Sequence, residues 1–114
     1  MVDANGKQSR AISPVRPIIT VSSNTTLGSG HYTVLVNAAS AAINITLPTA
    51  SSHTGRVYNV KKIDATANAV TIIGTIDGVA NRTITTQWTD FNFQSNGSAW
   101  FMLYGAIDGF RQNN

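Results

Sequence analysis

The chain contains no cysteine and no glutamate, and only 11% of its 114 residues are charged. Without cysteine there can be no disulfide staple, no thiolate metal ligand and no thiol nucleophile. Among the long-chain helix formers, Glu is missing and Lys, Gln and Leu are few. No apolar run approaches the ~20 residues that a membrane-spanning helix needs. The opening MVDANGKQSR has no apolar core of a secretory signal, so the expectation is a soluble product made in a cytoplasm, with no membrane partner.

Thr, Asn, Ser, Ala and Gly fill the space between apolar residues. Thr and the β-branched aliphatics suit pleated, half-buried surfaces, so composition favours strands and turns. The length suits one domain. Net charge is +3 and the isoelectric point is near 9.7, but few charges of either sign set that value. A nucleic-acid reader should show a denser basic patch with interleaved aromatics, so nucleic acid is not the expected partner.

Residues 1–17 differ from the rest. They are polar and basic, with Lys7, Arg10 and Arg16, and they carry Pro14 and Pro17. Each proline fixes its own φ and pushes its predecessor toward extended backbone. Ala11, Ile12, Val15 and the two prolines supply apolar contacts that a solvent tail would lack. The segment therefore reads as an extended arm that orders against another protein, with Lys7, Arg10, Ile12, Pro14, Val15, Arg16 and Pro17 as docking residues.

From Ile18 the pattern is short strands and turns. Ile18–Val21 is the first, and Tyr32–Val36 the second, with Tyr32, Val34 and Val36 on one face. Ile43, Ile45 and Leu47 alternate with polar residues and point inward, and Pro48 ends that strand. Val57–Ile63, Ala69–Ile73, Thr83–Thr85 and Phe91–Gln94 follow, with a turn region from Gly74 to Asn81 around Asp77-Gly78. Asn96-Gly97 between apolar strands suggests a type I′ hairpin leading into Ala99–Tyr104. About eight strands result. The expected fold is an all-β, antiparallel sandwich or barrel-like knob over 18–105, followed by a tail, 106–114.

Trp100, Phe101, Met102, Leu103 and Tyr104 make this last strand apolar on both faces. It is either a central strand of one subunit or a strand whose second face meets a neighbouring subunit.

A particular run of segments carries a resemblance. It comprises Tyr32-Thr33-Val34-Leu35-Val36, Ile43-Asn44-Ile45-Thr46-Leu47-Pro48, and Thr54-Gly55-Arg56-Val57-Tyr58-Asn59-Val60-Lys61-Lys62-Ile63-Asp64. Asn68–Ile72, Ile76-Asp77-Gly78 and Gln94-Ser95-Asn96-Gly97-Ser98-Ala99-Trp100 complete it. In this order they resemble a small β domain of tailed-bacteriophage fibre and head-fibre proteins, over Ile18 to Leu103. The resemblance implies a homotrimeric knob on a virion; separately, no acid, base or nucleophile constellation and no phosphate or dinucleotide fingerprint stands out in the sequence, so neither enzymatic activity nor a cofactor is expected. Such domains usually end long fibres, whereas this chain has no pattern for a coiled-coil or β-helical shaft. That favours a compact appendage, a capsid decoration (cement) protein or short head fibre, bound to the major capsid protein or another virion protein. The alternative is a tail-fibre-type module recognising host-surface glycans, with Trp88 as a contact.

Side-chain chemistry adds little. Asp64 and Asp77 sit at predicted turns, where a short carboxylate caps backbone N–H groups. His31 and His53 lie in separate loops with no metal-ligand spacing, so no metal is expected. Lys61 and Lys62 read as solubilising charges on a strand edge.

Overall fold

A computed structural model describes residues 3–4, 6–7 and 15–105. The described residues hold eleven strands and no α-helix, with one 3-10 turn at Ala50–Ser52. Asp3–Ala4 (β1) and Gly6–Lys7 (β2) pair antiparallel as a separate two-stranded ribbon. The other nine form one nearly closed, barrel-like sheet. They are Ile18–Val21 (β3), Thr25–Thr26 (β4), Thr33–Val36 (β5), Ile43–Thr46 (β6), Val57–Lys62 (β7), Val70–Ile76 (β8), Val79–Ile84 (β9), Asp90–Ser95 (β10) and Trp100–Gly105 (β11).

The sheet is mixed, which corrects the expectation of an antiparallel fold. Its order is β3-β5-β7-β10-β11-β8-β6-β4, with β9 on β8. The chain zigzags: β3, β5 and β7 form one parallel wing, and β4, β6 and β8 form the other. The antiparallel hairpin β10–β11 bridges the wings, pairing antiparallel with β7 and touching β8 in parallel at Trp100 and Ile76. The edge strands β3 and β4 are neighbours in sequence.

Register follows the apolar pattern. Val34 pairs with Val60, Ile43 with Val70 and Ile45 with Ile72, so each rung sets buried residue beside buried residue. Phe91, Phe93, Tyr58, Ile76, Leu27 and Trp100 fill the rest of the interior. The described chain closes this core by itself. Trp100 stacks on Tyr58 with ring centroids 5.5 Å apart. Each has a polar tip that reaches a loop carbonyl: the Trp100 indole N–H donates to Pro48 and the Tyr58 hydroxyl to Gly28, both at 2.8 Å.

Two turns differ from expectation. The 74–81 region is mostly strand: β8 continues past Gly74, where an added Cβ would press on Leu47 at 3.4 Å. The tight hairpin turn is Asp77-Gly78, whose φ values of 54° and 79° are both in the left-handed region, as a type I′ turn requires. At 95–100, only Gly97 is left-handed, with φ 93°. Asn96 instead accepts the N–H groups of Ser98 and Ala99 on its side-chain oxygen, making a wider loop.

Candidate functional site

Three places stand apart from ordinary core and surface. The first is where the arm enters the sheet. The Pro17 carbonyl accepts the Thr33 N–H at 3.1 Å, fixing the entry beside β5. The Arg16 guanidinium lies over the Tyr32 ring, 5.5 Å from its centroid. Opposite, the 49–56 loop is held in place by its backbone. Gly55 N–H donates to the Ser95 carbonyl at 2.8 Å, Ser95 N–H to Arg56 at 3.1 Å, and Gly55 takes φ 81°. His53 is fixed through Nδ1, 2.9 Å from the Thr49 carbonyl. Between the two sides runs an open groove of about 580 Å³, with Arg16, Tyr32, His53, Thr54 and Arg56 on its walls. Burial pushes the neighbouring Tyr58 hydroxyl above its ordinary pKa, with Arg56 pulling the other way.

The second is the outer face of β11. Trp100 belongs to the chain's own core at 4% exposure, and Met102 is half-buried. Phe101 and Leu103 point outward and are 39% and 59% exposed. Tyr104 lies on β11 in register with Asn92. Beyond Trp100, β11 has no further rung with β8; the Met102 N–H is taken by the Asp77 carboxylate at 3.3 Å.

The third is the turn 86–89. Trp88 is 60% exposed and has φ 70°, a costly backbone region for a bulky side chain. Its N–H donates to the Lys62 carbonyl at 2.8 Å, and the Lys61 ammonium stands 6.0 Å from its ring centroid.

Lys62 was expected on the surface as a solubilising charge and is instead buried completely. β7 turns Tyr58 and Val60 inward, and strand parity carries Lys62 with them. The side chain is tolerated because Asp64 meets it at 2.5 Å. Asp64 also accepts the Ala38 N–H at 2.7 Å and the Thr66 N–H at 3.1 Å. The signal was in the sequence: an inward parity shared with Tyr58 and Val60, and a carboxylate two residues on.

Of the proposed arm residues, Val15, Arg16 and Pro17 are placed at the groove and Lys7 on β2. Arg10, Ile12 and Pro14 lie outside the described residues, as does the 106–114 tail. Asp64 caps the Thr66 N–H in its own turn as expected, whereas Asp77 accepts the Met102 N–H from β11 instead of an N–H of its own turn. The groove itself was not anticipated, because Arg16, Tyr32 and Arg56 lie on separate segments whose parallel pairing sequence periodicity does not reveal.

Among the described residues no three His, Asp or Glu side chains cluster as a metal site would require, and no helix is long and apolar enough to cross a membrane. No family model matches the chain, and no curated protein matches its sequence.

Proposed function

We propose that this chain is a structural protein of a virus particle, of the capsid-decoration or short head-fibre kind found in tailed bacteriophages. In this reading it forms a homotrimer and holds to the major capsid protein, or another virion protein, through the residues that precede β3. Its action is binding, without catalysis.

The observation that carries the reading is the outer face of β11. Phe101 and Leu103 stand in solvent on a strand whose far edge is paired with β8 only at Trp100. Large apolar side chains beside free strand edge favour a protein partner. Because the core closes within one chain, association adds contacts to a finished fold. At the β3 edge of the sheet, the Pro17 carbonyl accepts the Thr33 N–H, which fixes the root of the arm beside β5. Three arms acting together would raise avidity for a shell steeply even if each grip is weak.

Light scattering on the purified protein, repeated with empty phage shells, tests both parts. The expected mass is three chains, and the complex should cosediment with shells. Removing residues 1–14 keeps β3–β11 and should leave the mass unchanged while abolishing shell binding. A monomer at all concentrations would sink the trimer, and a truncated protein that still decorates shells would sink the arm.

The second reading is a module that binds host-surface glycans through Trp88. The strained, exposed indole favours it. Loss of host-cell or glycan-array binding on Trp88→Ala would support it; unchanged binding, or none in the unaltered protein, would count against it.

A further inference from the structure

We propose that the groove at the root of the arm is a binding site for an acidic saccharide, with Arg16 and Arg56 taking its carboxylate groups. The inference does not rest on particle docking or on Trp88. Arg56 precedes β7 and Trp88 packs at its end, so the two sites lie at opposite ends of a six-residue strand.

The first argument is charge. In the body 15–105 the cations are Arg16, Arg56, Lys61, Lys62 and Arg82. Lys62 is paired with Asp64, Arg82 stands 3.6 Å from Asp77, and Lys61 faces Asp90 across the β7–β10 pair. These are the three aspartates of that body. Within the described residues 15–105, then, no carboxylate pairs with Arg16 or Arg56, and these two guanidiniums line the same concavity. A concave wall of one sign concentrates field and attracts the opposite charge. The planar guanidinium fork matches a carboxylate in bidentate fashion.

The second argument is the lining. Hydroxyl side chains from Ser29, Ser52 and Thr54 accompany the arginines, and the groove's volume of about 580 Å³ suits a small ligand. Hydroxyls that both donate and accept suit the hydroxyl groups of a sugar. The lining offers single-stranded nucleic acid little, because Arg16 already lies over the Tyr32 ring where a base would stack.

The third argument is rigidity. Both walls are fixed by backbone hydrogen bonds, Pro17 to Thr33 on one side and Gly55 and Arg56 to Ser95 on the other. A site held this way loses little freedom on binding.

The test is calorimetric titration of the full chain with a uronic-acid tetrasaccharide, a neutral tetrasaccharide of the same linkage, and an oligothymidylate. The acidic sugar should bind, and binding should weaken with added salt. Arg16→Gln and Arg56→Gln should each weaken it about tenfold or more, with the melting temperature unchanged. Arg82→Gln, whose partner is Asp77, should have no effect. The proposal is overturned if the acidic sugar fails to bind, if the neutral sugar binds equally well, or if neither groove arginine matters. It is also overturned if the oligothymidylate binds more tightly than the sugar through the same two arginines. Failure here would leave trimer formation and shell binding untouched, since those are read by mass and cosedimentation.

Discussion

Lys62 and Asp64 face each other inside the sheet at 2.5 Å, two residues apart, one on the last rung of β7 and the other just past it. The pair joins three segments: the lysine holds the carboxylate, and the carboxylate holds the backbone at Ala38 and Thr66. Removing one partner leaves the other charge buried alone. Asp64→Asn should therefore cost about 3–5 kcal/mol in urea unfolding. Lys62→Met, which leaves a carboxylate still fed by backbone donors, should cost less. Equal, small effects from both would mean that the pair carries little of the fold's stability.

The same carboxylate sets an acid limit. Burial pushes its pKa up, but the hydrogen bonds from Lys62, Thr66 and Ala38 outweigh burial and hold it well below the ordinary carboxylate range. The unfolded chain takes up this proton near pH ~4, the native one only in stronger acid. Below pH ~4 the unfolded state therefore binds more protons, and stability falls as the pH drops. Above about pH 5 this contribution is complete and flat. Melting temperatures from pH 2 to 7 should show this acid-side slope, and Asp64→Asn should flatten it.

Gly97 and Gly78 separate backbone strain from crowding. Both have left-handed φ, 93° and 79°. A Cβ at Gly97 would meet Thr54 Oγ1 at 2.8 Å, whereas one at Gly78 meets open space. Gly78→Ala should cost about 1 kcal/mol from conformation alone. Gly97→Ala should cost more, and Gly97→Ala with Thr54→Ala should recover the difference. Thermal unfolding of the four proteins reads this directly.

The two faces of β11 predict opposite phenotypes. Trp100→Ala empties the core and breaks the bond to Pro48, so it should cost about 3–5 kcal/mol. Phe101→Ser and Leu103→Ser should change the folding stability of a single chain by no more than about 0.5 kcal/mol. Their effect should fall on the mass measured by light scattering. Large losses of chain stability from Phe101→Ser would move that residue into the fold's own packing.

Trp88→Gly should raise stability by about 1 kcal/mol, because glycine adopts the observed φ without penalty. A loss instead would mean that the contact with Lys61 outweighs the strain. That would make the exposed indole a structural residue.

Much of the fold was legible locally. Ile43, Ile45 and Leu47 alternate and are all buried, and β3 runs over the residues its apolar run suggests. Partner choice was not legible. Alternation tells which residues face inward but not whether the neighbouring strand runs with or against them, so the two parallel wings were invisible. β4 was missed because Thr25-Thr26 is polar and two residues long, and its place is set by Thr46 and Asn44. Gly74 read as a turn because its role is to admit Leu47, a contact from another strand. At the sites, the Asp64 cap on Thr66 was readable from turn chemistry, while the reach of Asp77 to Met102 on another strand was not. The groove was not, since it exists only when three distant loops meet.

The zigzag between wings has a consequence for how the chain reaches this state. None of the strands β3 to β7 finds its neighbour locally; each must wait until the chain has crossed to the other side and returned. Loop-closure entropy is spent before the contacts that repay it exist, so assembly should be slow for a protein of this length. The hairpin β10–β11, made late in synthesis, is one of the local pieces available as a template. Until it emerges, the earlier rungs have nothing to close against, and nascent chains are exposed to pairing with one another.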